Sequence, residues 1–181
     1  MELYLVQHGE SVPEREDPAR PLTERGRQEV ERVARTVAKL RVALDLVAIS
    51  HSGKLRAQQT AEILAEHLQP ARGVLQVSSL APKDDPAIAR QALEASGGPQ
   101  MLVGHLPHLS RLASLLLVGD AAREVIAFRM GGIVCLGRDV GSAAAGGIGG
   151  GSAGDTAGTA AVRRGGAWRL HWVLTPELAY S

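Results

Sequence analysis

Short apolar runs that alternate with helical patterns constrain the fold of this chain more than any other feature. Residues 3–6, 46–50 and 100–104 are near-continuous hydrophobic segments, as expected for strands that are buried on both faces of a parallel sheet. Apolar residues at three- and four-residue spacing, from Val30 to Leu40, predict a first helix that Thr23 precedes, and the same spacing predicts a second helix over about 54–68. Thr23 is placed to cap the first of these helices.

The rest of the chain continues the same alternation. The patterns predict a minor strand at 74–77, helices over about 86–95 and 108–117, and two final strands at about 133–136 and 168–174. The order β-α-β-α-β-α-β-α-β-β is typical of a three-layer α/β/α sandwich with a mostly parallel sheet.

A chain of 181 residues is long enough for one well-buried domain, and we interpret residues 1–181 as a single domain. One segment, at about 139–166, differs in composition because residues 141–158 are almost wholly Gly, Ala and Ser. Such a segment buries too little apolar surface to offset its ordering entropy, so we expect a flexible loop. It lacks the Lys-Ser/Thr ending of a phosphate-binding P-loop.

Composition argues against several classes of partner. A net charge of +1 and an aromatic content of 3% give neither the basic field nor the stacking surface of a nucleic-acid-binding protein. No apolar run approaches the ~18 residues of a membrane span, and no signal peptide is visible, so we expect a cytoplasmic protein without a membrane partner. The single cysteine, Cys135, excludes an intrachain disulfide and a zinc cluster built from thiolates, and is most simply a small buried hydrophobe.

Polar side chains gather where three predicted strands end. His8 and His105 each close a strand, and the strand ending at Ser50 leads directly to Arg56. In a parallel sheet these ends emerge at one edge, beside the crevice where ligands bind. Two imidazoles and a guanidinium in one small volume suit nucleophilic attack on phosphorus. The alternative is that each histidine merely caps its strand.

The same segments carry a resemblance to a known family. Four segments are ordered and spaced as in the histidine phosphatase superfamily. They are Leu5-Val6-Gln7-His8-Gly9-Glu10, Arg20-Pro21-Leu22-Thr23 with Gly26, Ser52-Gly53-Lys54-Leu55-Arg56-Ala57-Gln58-Gln59-Thr60 and Leu102-Val103-Gly104-His105. The chain most closely resembles the SixA-type phosphohistidine phosphatase branch of that superfamily. The resemblance implies a phosphoglycerate mutase-like fold and a metal-independent phosphatase with no cofactor.

The resemblance also implies roles for individual residues. His8 would be the nucleophile that becomes transiently phosphorylated, Arg56 would clamp phosphate oxygens, and His105 would donate a hydrogen bond to the phosphoryl group. Gln7 and Gly9 complete the expected phosphate-binding set. Gln7 stands where the family usually has arginine, so the clamp loses a cation and catalytic strength is in doubt.

The candidate general acid is Asp84 or Asp85, although a carboxylate at a helix N-terminus also explains both. A weak acid would suit phosphohistidine, since an imidazole leaving group needs less protonation than an alkoxide. We therefore expect a protein-borne phosphohistidine substrate, such as a phosphotransfer domain. The alternatives are a phosphomonoesterase of small metabolites and a phosphate- or phosphoprotein-binding module impaired by Gln7.

Overall fold

The computed structural model describes residues 1–39, 45–96, 98–138 and 167–179. The elements follow the predicted order: β1 (Glu2–Gln7), α1 (Glu24–Lys39), β2 (Ile49–His51), α2 (Leu55–Leu68), β3 (Val74–Gln76), α3 (Pro86–Ala95), β4 (Gln100–Gly104), α4 (His108–Val118), β5 (Ile133–Arg138) and β6 (Trp168–Leu174). The predicted loop at 139–166 and Leu40, the last residue of the first helical pattern, lie outside the described residues.

The six strands form one mixed sheet in the order β3-β2-β4-β1-β5-β6. Strands β1 to β4 are parallel, whereas β5 runs antiparallel to both β1 and β6. The prediction of a mostly parallel sheet inside an α/β domain is therefore confirmed.

Helices cover both faces of the sheet because successive strand residues point to opposite sides. Tyr4 and Val6 of β1 pack under α1 and α2, and Leu3 and Leu5 pack under α3 and α4. All four side chains are fully buried, so β1 lies at the centre of both cores. The end of this central strand is therefore held rigidly from two sides.

The second strand is shorter than the sequence predicts. The second strand is limited to Ile49–His51, because the carbonyls of Leu46 and Val47 accept hydrogen bonds from Ala71 and Arg72 rather than from a neighbouring strand. Thr23 caps α1 as predicted, with its Oγ1 accepting the Gly26 N–H at 2.9 Å. No helix among the described residues is long and apolar enough to cross a membrane.

Candidate active site

Strand register brings the two histidines together. Gln7 of β1 pairs with Gly104 of β4, so His8 and His105 are the next residues of neighbouring parallel strands. Their rings lie 4.9 Å apart between centroids and tilted by 57°. Both side chains are buried, with 8% of His8 and 2% of His105 exposed.

His8 is held by contacts at both ring nitrogens. Its Nδ1 lies 2.7 Å from the carbonyl oxygen of Gly9, and Arg56 Nε donates to its Nε2 at 3.1 Å. Arginine can only donate, so Nε2 must be the unprotonated nitrogen, and the ring proton is on Nδ1, donated to Gly9. The geometry therefore leaves His8 with a lone pair on Nε2, directed toward Arg56.

Electrostatics keep both histidines neutral. The pKa of His8 is lowered to about 4, mainly by burial and in addition by the positive charges of Arg56 and Arg20, against the opposing effect of the Gly9 carbonyl. Burial likewise lowers the pKa of His105 to about 3, with His8, Arg56, Lys54 and His108 acting in the same direction. A neutral His8 is the form that can act as a nucleophile.

Arg56 is a buried cation without a salt-bridge partner. It is 8% exposed, and among the described residues no carboxylate forms an ion pair with it. Burial and the positive charge of Arg20 lower the pKa of Arg56. Glu14 raises this pKa, but its effect is smaller than either of the other two. Buried charges are normally paired, so a buried cation beside His8 that has no counter-ion among the described residues indicates a candidate anion-binding site.

The N–H of Gly9 is already hydrogen-bonded within the protein, although Gly9 is one of the residues predicted to bind phosphate. Its N–H donates to Thr60 Oγ1 at 3.1 Å, and that hydroxyl donates to the Arg56 carbonyl at 2.7 Å. A Cβ at Gly9 would lie 2.8 Å from Val30 Cγ2, so glycine allows α1 to pack directly on this turn. Gly9 thus contributes its carbonyl to His8, and Thr60 links the turn to α2.

Three further residues around the pocket were present in the motifs, but no role was predicted for them there. Ser52 Oγ lies 2.6 Å from His105 Nε2. Arg20, in a left-handed conformation with φ 52°, acts electrostatically on both His8 and Arg56. Thr60 is fully buried. All three residues lie within the motifs quoted above, which marked them as candidates. Their contacts, however, are shown only by the three-dimensional structure.

The remaining predicted site residues take different positions. Gln7 is 7% exposed, and its Oε1 has no hydrogen-bond partner among the described residues. Asp85 caps α3 by accepting the Ala87 N–H at 2.9 Å, and Asp84 accepts the Ala81 N–H at 2.7 Å. Neither carboxylate forms a hydrogen bond with His8 or His105 in the described part of the chain.

Comparisons with known proteins agree with this fold. A mixed α/β sheet with this helix arrangement is the phosphoglycerate mutase-like fold of the histidine phosphatases, and the family model of the histidine phosphatase superfamily (branch 1) matches residues 3–79. That range includes His8 and Arg56 but not His105. The resemblance that the sequence motifs suggested is therefore confirmed. No curated protein sequence matches the chain.

Solved structures extend the likeness over the whole fold. The protein histidine phosphatase SixA in complex with tungstate is 23% identical, with a TM-score of 0.72 and 97% of each chain covered. A protein of Agrobacterium tumefaciens assigned as the phosphohistidine phosphatase SixA is 19% identical, with a TM-score of 0.67 and 97% coverage of both chains. A mycobacterial glucosyl-3-phosphoglycerate phosphatase is 16% identical, with a TM-score of 0.56, covering 76% of this chain and 91% of its own.

The buried histidines also make a prediction about stability. The ordinary histidine pKa is about 6.5, and in the folded protein it falls to about 4 for His8 and about 3 for His105. As the pH falls below 6.5, the unfolded chain therefore binds two protons that the folded chain does not. We expect the free energy of unfolding to fall with decreasing pH, by at most about 3 kcal/mol per pH unit between pH 6 and pH 4.

Urea titrations at a series of pH values measure this slope. In a His8→Asn/His105→Asn double variant both titrating rings are gone, so the slope should become markedly shallower. An unchanged slope in the double variant would mean that other groups cause the acid sensitivity.

Proposed function

We propose that this protein is a phosphatase that transfers a phosphoryl group from its substrate to His8 Nε2 and then to water. The observation that carries the proposal is one hydrogen-bonded cluster, in which the Nε2 lone pair of a neutral buried imidazole accepts from a buried guanidinium that has no carboxylate ion-pair partner among the described residues. Phosphoryl transfer depends mainly on positioning and on fixed positive charge, and this cluster supplies both.

The contacts suggest how the reaction would proceed. A phosphoryl group entering the pocket takes the place of His8 Nε2 as the partner of Arg56, whose planar fork matches two phosphate oxygens. The Nε2–P bond forms as the bond from phosphorus to the leaving group breaks. His8 gains positive charge in this step, and the Gly9 carbonyl, which accepts its Nδ1–H, stabilises that charge. Water then attacks phosphorus, releases phosphate and restores neutral His8.

His105 would stabilise the transition state. Its Nε2 is 2.6 Å from Ser52 Oγ, so Ser52 orients the ring and keeps this nitrogen at the pocket. A proton on Nε2 can be donated to a phosphoryl oxygen, where negative charge is held in the transition state. Ser52 acts through His105 and is therefore a positioning residue.

Phosphohistidine on a protein is the substrate class we propose. Both candidate acids are engaged in backbone hydrogen bonds, which suits an imidazole leaving group that needs little protonation. Leu106 and Met130 are apolar residues that are 38% and 47% exposed, and Leu106 directly follows His105. Gly131, next to Met130, donates to the carbonyl of Gln7. Exposed apolar residues next to residues that contact the site favour a macromolecular partner over a small polar metabolite.

The substrate class is tested by comparing kcat/KM for a phosphohistidine peptide with that for phosphoglycerate and a phosphoserine peptide. We expect the phosphohistidine peptide to be preferred by at least about tenfold, since the leaving group differs by several pKa units. A preference for phosphoglycerate would instead favour a metabolite phosphatase, as in the mycobacterial structural neighbour.

A binding module without catalysis is the second candidate, because Gln7 removes one cation from the expected clamp. The charge of Arg20 acts on the same pocket and compensates in part. We predict that Gln7→Arg tightens the binding of phosphate or vanadate by about one to two orders of magnitude, equivalent to ~1.5–3 kcal/mol for a charge-assisted hydrogen bond.

Isothermal titration with vanadate and kcat/KM measurements on Gln7→Arg and Gln7→Met separate these functions. Gln7→Met is the matched control because it keeps the length of the side chain and removes the amide. Turnover by the wild type together with Gln7→Arg supports a phosphatase that tolerates glutamine. A wild type that binds vanadate without turnover, beside an active Gln7→Arg variant, would establish the binding module.

A further inference from the structure

A second group of chemically reactive side chains lies at the opposite end of β1. Glu2 begins β1, Cys135 lies in β5 and His171 lies in β6, and their ligand atoms are all within 4.8 Å of one another. The six-residue length of β1 separates this group from the His8 pocket by roughly 17 Å at the usual rise per residue. The group is therefore independent of the proposed phosphatase reaction.

Strand register places Glu2 and Cys135 on the same face of the sheet. In the β1–β5 ladder Glu2 pairs with Gly137, and Tyr4 pairs with Cys135. Tyr4 and Cys135 both belong to the core under α1 and α2, and alternate residues of a strand share a face. Glu2 and Gly137 therefore border that core at its open end.

A β-bulge brings the third side chain to this face. Cys135 pairs with Trp172 and the adjacent Leu136 pairs with Leu170, which leaves His171 as the extra residue of β6. A bulge of this kind changes the direction of a side chain, and Trp172 packs against the same core. The His171 ring lies directly over Gly137, where a Cβ would be 2.0 Å from its Cε1. Any other residue at position 137 would displace this ring.

We propose that Glu2, Cys135 and His171 bind a divalent transition-metal ion, for which zinc fits the mixed sulfur, nitrogen and oxygen ligand set. In a tetrahedral zinc site such ligand atoms lie about 3.5 Å apart. The side chains of Glu2 and His171 are 37% and 45% exposed, so both are free to move inward by the roughly 1 Å required. The Cys135 thiol releases its proton to solvent as the sulfur–metal bond forms, and a water completes the fourth position.

The surroundings of the cluster fit a structural metal site. The Tyr4 hydroxyl donates to Glu2 Oε2 and orients that carboxylate, as second partners of metal ligands commonly do. A metal here would join β1, β5 and β6, of which β6 is an edge strand that pairs with β5 alone among the described strands. Binding would therefore stabilise the edge of the sheet.

Cobalt(II) titration of the full chain, after removal of metal with a chelator, tests the proposal. We expect one equivalent to produce a near-ultraviolet thiolate-to-cobalt band and the intense visible bands of a tetrahedral site, and zinc to displace the cobalt. Cys135 is the only cysteine of the sequence, so any thiolate band reports on this residue. Zinc should also raise the thermal midpoint of unfolding.

Variants make the test specific to these residues. Cys135→Ser should abolish the thiolate band, and His171→Ala, at an exposed position, should weaken binding at least about tenfold. His67→Ala, in α2 and outside the cluster, is the matched control and should bind as the wild type does. The absence of a thiolate band in the wild type, or unchanged affinity in His171→Ala, would overturn the proposal.

Discussion

Replacing His8 by asparagine is expected to lower the turnover of a phosphohistidine peptide by at least about four orders of magnitude. The variant loses the Nε2 lone pair that would form the bond to phosphorus, and removal of a nucleophile typically has effects of this size. Asparagine keeps a polar side chain in the buried space, so the fold should persist. Rapid quenching with radiolabelled substrate should give an acid-labile phosphoenzyme with the wild type and none with His8→Asn.

The same substitution at His67, in α2, is the control for this experiment. His67→Asn should retain both turnover and labelling, because the residue lies outside the pocket. Labelling that persists in His8→Asn would show that another residue accepts the phosphoryl group. His105 would be the first candidate, because its ring is 4.9 Å from that of His8.

Replacing Arg56 by methionine is expected to lower kcat/KM by about three orders of magnitude. The guanidinium is the cation that directly contacts His8, the proposed nucleophile, and arginines that stabilise phosphoryl transfer commonly contribute this much. Arg56→Lys keeps the charge but loses the planar fork, so an intermediate loss is expected. Steady-state kinetics should therefore show that kcat/KM decreases from the wild type to Arg56→Lys and again to Arg56→Met.

A stability measurement distinguishes this loss from misfolding. Arg56 is buried and has no ion-pair partner among the described residues, so methionine removes a charge whose desolvation is unfavourable. We therefore expect the thermal midpoint of Arg56→Met to equal or exceed that of the wild type. Equal activity of the lysine and wild-type proteins would show that charge alone matters at this position.

Local patterns were sufficient to predict most elements of the fold. Strands β4 and β6 and helix α3 begin and end at the predicted residues, since each combines an apolar pattern with a clear boundary such as Pro86. The second strand was predicted less well. Residues 46–48 have a strand-like pattern, but their backbone is paired with the turn at 70–72, which is a tertiary contact.

The candidate site was predictable as a location but not as a hydrogen-bonded arrangement. His8, Arg56 and His105 were indicated by their positions after strands and within motifs, and the structure brings them together. Gly9 is predicted to bind phosphate, yet its N–H donates to Thr60, which lies 51 positions further along the chain. A contact between such distant residues leaves no local signature in sequence.

Residue patterns are enough to predict the order of strands and helices, the mostly parallel sheet and the segments that meet at its edge, because these depend on periodicity and on the shared direction of parallel strands. Three-dimensional contacts are needed to show which nitrogen of His8 carries the proton, where the charge of Arg20 acts, and that a bulge directs His171 toward Cys135. These features depend on burial and on distances between segments far apart in the chain. Burial and such distances are set by how the side chains pack in three dimensions, and a local residue pattern carries no information about that packing.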